Sequence, residues 1–174
     1  MIYIKNILAT FFVVAFFLPI ELEQRSLLDG KVEILLPKGW KPMSEDLVKI
    51  KYPGAKPPKL VYSDVSGAIS IAFNLTESNA SQSTIEKYHE VLKQSLEKAY
   101  PDAVWEETTI REINGKRMGE FRLITDTYND KIYNQMLFTD LNGKLLICSF
   151  NCVETKLKTW KPIAADIMNS LTIK

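Results

Sequence analysis

The chain has 174 residues, 46% of them hydrophobic and 25% charged, with a formal net charge of +1. That length and balance suit one globular domain with a sizeable core and exclude a disordered chain. Near-neutrality gives no reason to expect nucleic acid or an anionic membrane as partner.

Residues 1–20 stand apart. Lys5 is their only charge, and residues 7–20 (ILATFFVVAFFLPI) form an unbroken apolar run. Fourteen residues fall short of the roughly 20 that span a bilayer as a helix. A basic start followed by such a run predicts an export signal, with a membrane anchor or a buried helix as the alternatives. No small-x-small cleavage site closes the run, and no cysteine follows it to carry a lipid. The expected division is an export signal or hydrophobic segment over residues 1–23 and a single domain over residues 24–174. Cleavage after Ile20 would leave 21 basic and 21 acidic residues, a neutral domain.

Residues 24–30 read as a short lead-in and residues 31–36 as a strand, ended by Pro37-Lys38-Gly39. Trp40 follows, an aromatic suited to sealing one end of a core. Ser44 is placed to cap a single helical turn with Glu45 and Asp46 in it, after which residues 48–52 return to strand-like alternation. Residues 53–58 (PGAKPP) contain three prolines, which cannot donate in a sheet, so a rigid exposed loop of polyproline character is expected. Strands follow at 60–62 and 68–75, joined through Ser66-Gly67. In the second, Ile69, Ile71, Phe73 and Leu75 share one face.

Ser83 and Glu86 have capping-box spacing and predict the start of a helix that runs to about Tyr100, where Pro101 stops it. Ile85, Tyr88, Leu92, Leu96 and Ala99 form its apolar stripe, with His89 at the edge. Four strands are expected next, at 105–113, 116–126, 132–139 and 144–152. Two of their three joints are Asn-Gly, at Asn114-Gly115 and Asn142-Gly143. This pair tolerates the positive φ values of a two-residue type I′ turn and is a strong hairpin signal. Phe121 with Leu123, Met136 with Phe138, and Leu146 with Cys148 and Phe150 should each share a face. A closing helix over residues 160–171 places Trp160, Ile163 or Ala164, Ile167 and Leu171 on one side, with Pro162 in its first turn. The fold class expected is α+β: an antiparallel meander with helices packed on it.

The two cysteines, Cys148 and Cys152, are four residues apart. On one continuous strand their Cα atoms stand ~13 Å apart at ~3.3 Å per residue, beyond the ~7 Å reach of a disulfide. A bridge requires the strand to end between them; otherwise they are two buried apolar thiols. The single histidine, His89, is remote in sequence from both, so a metal site is not expected.

No nucleophile elbow, phosphate loop, dinucleotide fingerprint or zinc-protease motif is present. The adjacent acidic pairs Glu45-Asp46 and Glu106-Glu107 would point to opposite faces of a strand. No catalytic residue, metal ligand or cofactor is therefore expected. Lysines and tyrosines cluster about the proline loop, and Tyr52, Lys56 and Tyr62 are the expected partner-contacting residues. Rigid prolines lose little entropy on binding, and tyrosines offer contact area with few rotatable bonds. The competing reading is that the prolines only terminate strands and the lysines only protect a sheet edge.

The order of segments (VEILLPKGW, AISIAFNL, a capped helix, INGKRMGEFRLITD, IYNQMLFTD, NGKLLICSFNC and IMNSL) resembles the PsbP/Mog-like superfamily. The likeness is greatest to exported bacterial DcrB-like and related uncharacterised proteins. It covers residues 31–171 and rests on the Pro37–Trp40 strand end, the Asn-Gly-Lys turns and Asn169-Ser170-Leu171. The resemblance implies an αβα sandwich and non-enzymatic work through protein contacts, and it supplies no catalytic residue. The missing lipid-attachment cysteine departs from lipoprotein members. The function expected is an exported interaction module binding a protein partner in the periplasm or at the cell surface. It would have no cofactor, no nucleic acid and no strong membrane association after cleavage. The alternative is a binder of a small apolar or lipid-like ligand between sheet and helix.

Overall fold

The computed structural model describes residues 19–54 and 57–174. The export signal or hydrophobic segment expected over residues 1–23 lies, but for its last five residues, outside the described residues. Ten strands and three α-helices follow in the order β1 (Leu22–Leu27), β2 (Val32–Pro37), β3 (Lys41–Pro42), α1 (Glu45–Lys51), β4 (Leu60–Ser63), β5 (Ile69–Asn79), α2 (Ile85–Ala99), β6 (Val104–Ile113), β7 (Lys116–Asp126), β8 (Lys131–Leu141), β9 (Lys144–Val153), α3 (Leu157–Asn169) and β10 (Thr172–Ile173).

The four-strand meander forms as its turn chemistry dictates. Asn114, Gly115, Asn142 and Gly143 all have φ between 49° and 78°, as a type I′ turn requires. Strands β6, β7, β8 and β9 pair consecutively and antiparallel, and β5 returns beside β9. With β3 and β4 they complete a seven-stranded sheet of order β3-β4-β5-β9-β8-β7-β6, while β1, β2 and β10 form a separate three-stranded sheet.

Period-two alternation divides the large sheet into two apolar faces. On one, Ile69, Ile71, Phe73, Leu146, Cys148 and Phe150 pack with Val32, Ile34 and Leu36 of β2 and with Ala164, Ile167 and Met168 of α3. Trp40 stacks on Trp160 at 5.5 Å between ring centroids, and Trp160 on Phe150 at 6.2 Å. On the other, Phe121, Leu123 and Phe138 receive Ile85, Tyr88, Leu92 and Leu96 of α2. Val48 of α1 packs beside them on Val61 and Ala72. Sheet β1-β2-β10 with α3, the seven-stranded sheet, and α1 with α2 therefore make three layers, the expected α+β sandwich.

Several local expectations are corrected. Residues 48–52 are not a strand: the helix capped by Ser44, which accepts from the Leu47 amide at 3.4 Å, continues to Lys51. One buried contact, Val48, suffices to dock it, so the apolar period misleads. Residues 24–30 are more than a lead-in, because β1 starts at Leu22, two residues before the expected domain boundary, and pairs with β2 over its whole length. Ser83 does not cap α2. A short 3₁₀ turn precedes that helix, and the reciprocal cap is Ser81 with Thr84, whose hydroxyl accepts from the Ser81 amide at 2.9 Å. Pro162 falls in the second turn of α3, which begins at Leu157. Cys148 and Cys152 are buried free thiols on the continuous strand β9.

Candidate functional site

Strands β5, β8 and β9 are left partly open between α1 and α2. A groove of about 450 Å³ runs there. Its floor is Ala72, Met136, Ile147 and Ser149; its walls are Tyr52 with Pro53, Pro57 and Pro58 on one side and Tyr100 on the other. The elements place these groups for simple reasons. Tyr52 is the C-cap of α1, its amide donating to the Val48 carbonyl at 2.8 Å, so its ring is carried over the sheet. Tyr100 follows the last turn of α2, which Pro101 terminates.

Tyr52 ties the groove wall to a neutral polar row on register-matched strands. The Tyr52 hydroxyl lies 3.3 Å from Ser70 Oγ and 3.5 Å from Asn151 Oδ1. Asn151 Nδ2 donates to Asn134 Oδ1 at 2.6 Å, and Asn134 Nδ2 to Thr125 Oγ1 at 3.0 Å. Ser70, Asn151 and Asn134 are direct cross-strand neighbours on β5, β9 and β8. Burial pushes the Tyr52 phenol up, with the Ser70 hydrogen bond opposing, so it is a protonated donor at neutral pH. Burial holds the nearby Lys51 ammonium below the ordinary lysine range, with Asp64 acting against it.

The residues expected to contact a partner are only partly brought together. Tyr52 lines the groove. Tyr62 does not: it is 9% exposed and packs in the main core. Its neighbours Val61 and Ser63 point the other way because side chains alternate along β4. Tyr52 and Tyr62 therefore lie on opposite faces of the sheet and share no surface, which corrects the expected pairing. Lys56 lies outside the described residues. Ser70, Tyr100, Asn134 and Asn151 escape a reading by hydrophobic pattern. The one signal for Ser70, Asn134 and Asn151 is that small polar and amide residues occupy positions on central strands.

Two further polar features lie outside the groove. On the α3 side, buried Glu120 is held by Arg111, by Arg122 at 3.0 Å and by Gln135 at 2.9 Å, while Arg111 also reaches Asn169 of α3 at 2.7 Å. This network ties three strands to a helix, and Arg122 Nε stands 3.0 Å from the Glu120 carboxylate as an ion pair without hydrogen-bond geometry. His89 rests against Phe121 and Phe138, with ring centroids 4.8 and 6.3 Å away. Its Nε2 is buried with no partner. Burial and Lys93 depress its pKa against the pull of Glu90 and Glu86. Among the described residues no group of three or more His, Cys, Asp and Glu is placed to hold a metal ion, and no helix is long and apolar enough to cross a membrane.

An antiparallel sheet sandwiched in this order defines the class, and solved structures share it. Cyanobacterial PsbP (CyanoP) from Synechocystis sp. PCC 6803 superposes with a TM-score of 0.63 at 15% identity, covering 89% of this chain and 94% of that one. LpqN of Mycobacterium tuberculosis, involved in cell envelope biogenesis, gives 0.52 at 12%, covering 88% and 91%. The Saccharomyces cerevisiae Ran-binding protein Mog1p gives 0.51 at 9%, covering 88% and 96%. The chain thus has the PsbP/Mog-like fold. No family model and no curated protein sequence matches it.

Proposed function

We propose that the protein is an exported, non-enzymatic interaction module that captures a protein segment in the groove between α1 and α2. The carrying observation is the groove itself: an open sheet floor of Ala72, Met136 and Ile147, walled by prolines and tyrosines, with Asn74 and Ser149 among its polar groups. Peptide groups are neutral donors and acceptors, which an amide and a hydroxyl complement. Rigid prolines and tyrosine rings reduce the entropy lost on binding. The space between α2 and the sheet is occupied by Ile85, Phe121 and Phe138, so the groove, not that interface, is where a ligand has room.

Two structural neighbours bear on the setting. LpqN takes part in cell envelope biogenesis and Mog1p binds Ran. Work by protein contact in the envelope is consistent with both and with the apolar run over residues 7–20.

The test is capture from the native envelope fraction with the full chain as bait. A Tyr100→Ala variant should lose much of the captured protein while its unfolding midpoint stays near that of the parent, because that ring is exposed. Undiminished capture by that variant would remove the groove as the contact surface.

A further inference from the structure

Strand register gives the large sheet two distinct ends. Val104, Ile124, Tyr133, Cys152 and Ile69 form one cross-strand row. Just past it lie the β4–β5 hairpin, with Val65, and the β7–β8 turn, with Tyr128. The two Asn-Gly turns mark the opposite end. The exposed large apolar side chains among the described residues are Leu47, Ile50, Val65, Tyr100, Val104 and Tyr128, together with Val91. Apart from Val91, in the middle of α2, and Tyr100, on the groove wall, they gather at the first end. Ile50 is 76% exposed, and Val65 and Tyr128 are fully so. Leu47 and Ile50 project from α1 beside the hairpin and line one hollow with Val65.

The chain enters the fold at this same end. The Lys38 amide donates to the Glu21 carbonyl at 2.8 Å, and its ammonium lies 3.0 Å from the Glu21 carboxylate. Lys38 and Trp40 line a hollow of about 560 Å³ with Leu47 and Val65. Immediately upstream in sequence is the apolar run of residues 7–20. The exposed apolar groups are spread along a sheet end roughly 24 Å wide at ~4.8 Å per strand step. That is the geometry of a plane, not of a pocket. Aliphatic tips with tyrosines beside them are the side chains that partition into a membrane–water interface. Charge does not drive the contact: Lys38, Lys41, Lys49 and Lys51 stand among Glu21, Glu45, Asp46 and Asp64.

We propose that this end of the domain rests on a lipid bilayer, with Leu47, Ile50 and Val65 in the interfacial layer, Val104 and Tyr128 alongside, and Glu21 on the membrane side. The groove between α1 and α2 then opens sideways along the bilayer surface. The placement does not depend on what the groove binds, and its test reads lipid contact alone.

The experiment uses the full chain, residues 1–174, reconstituted into phosphatidylcholine vesicles. Both native thiols are fully buried, so a cysteine introduced at an exposed position is the reactive one. Val65→Cys, Tyr128→Cys and Glu112→Cys, the last at the Asn-Gly end, each carry an environment-sensitive fluorophore. Spin-labelled lipids should quench the labels at 65 and 128 several-fold more than the label at 112, with a blue shift at both. The triple variant Leu47→Asp, Ile50→Asp, Val65→Asp, labelled at 128, should lose that quenching and keep its unfolding midpoint, since all three side chains are exposed. Adding anionic lipid should leave the result unchanged. Equal quenching at all three positions would overturn the proposal. So would a label at 65 shielded from aqueous quencher but untouched by lipid quencher, because that end would then be covered by protein or by a second copy of the chain.

Discussion

The Phe138 ring lies across the backbone of Gly119. A Cβ on Gly119 would fall 2.0 Å from Phe138 Cζ and within 2.6 Å of two further ring atoms. The two residues are direct partners on β7 and β8, and the missing side chain is what lets the ring lie flat under α2 against Phe121, at 5.1 Å between centroids. Gly119→Ala should therefore destabilise the domain by about 1–3 kcal/mol, the usual cost of overpacking a filled core. Phe138→Leu in the same chain should recover part of the loss. Urea unfolding of the two variants checks both expectations.

The two tyrosines flanking the proline loop should behave differently. Tyr62 is core, so Tyr62→Ala should cost about 3–5 kcal/mol, the range for emptying a buried aromatic site. Tyr52→Phe removes only a hydroxyl bonded to Ser70 and Asn151 and should cost about 0.5–1.5 kcal/mol. Equal losses in chemical denaturation would contradict the placement of the two rings on opposite faces.

His89 should make stability depend on pH. Its pKa is depressed in the folded state, so the unfolded chain binds more protons between the folded value and the ordinary value near 6.5. Stability then rises with pH across that window. The favourable contribution is complete above ~6.5 and declines as the pH falls below it. The denaturation midpoint of the parent should fall between neutral and mildly acidic pH by more than that of His89→Gln. Parallel profiles would show that His89 is hydrated in the native state.

The cysteines should be silent until the chain unfolds. Burial alone drives the Cys148 thiol far up and pushes Cys152 up to about 11, so neither is a thiolate at neutral pH. A thiol reagent should label neither residue in the native protein and both in denaturant. Cys148→Ser should cost about 1–3 kcal/mol by placing a poorly satisfied hydroxyl against Met168 and the apolar side of β9.

Legibility followed the range of the interactions involved. The meander was readable because Asn114-Gly115 and Asn142-Gly143 dictate their turns within two residues, and because Phe121, Leu123, Leu146, Cys148 and Phe150 keep strict alternation. The α2 stripe was readable for the same local reason. Short elements were not. Residues 48–52 carry too few periods to separate helix from strand, and the decision fell to the contact of Val48 with Val61 and Ala72. Strand β1 has its meaning only beside β2, and β10, two residues long, exists because Leu171 and its neighbours bring it back to Val32 and Glu33.

The candidate groove belongs to the second class. Sequence placed tyrosines and prolines near one another along the chain, and of the tyrosines flanking the proline loop the structure puts Tyr52 on the groove wall. Sequence could not say that Tyr62 faces the opposite core, because one residue of register on β4 reverses the side a ring occupies. Nor could it assemble Ser70, Asn134 and Asn151, which lie up to 81 residues apart and meet only through the pairing of β5, β9 and β8. Local chemistry determined the elements and the class of fold. Long-range strand pairing alone decided which side chains share a surface, because a sheet makes neighbours of residues that the chain keeps apart.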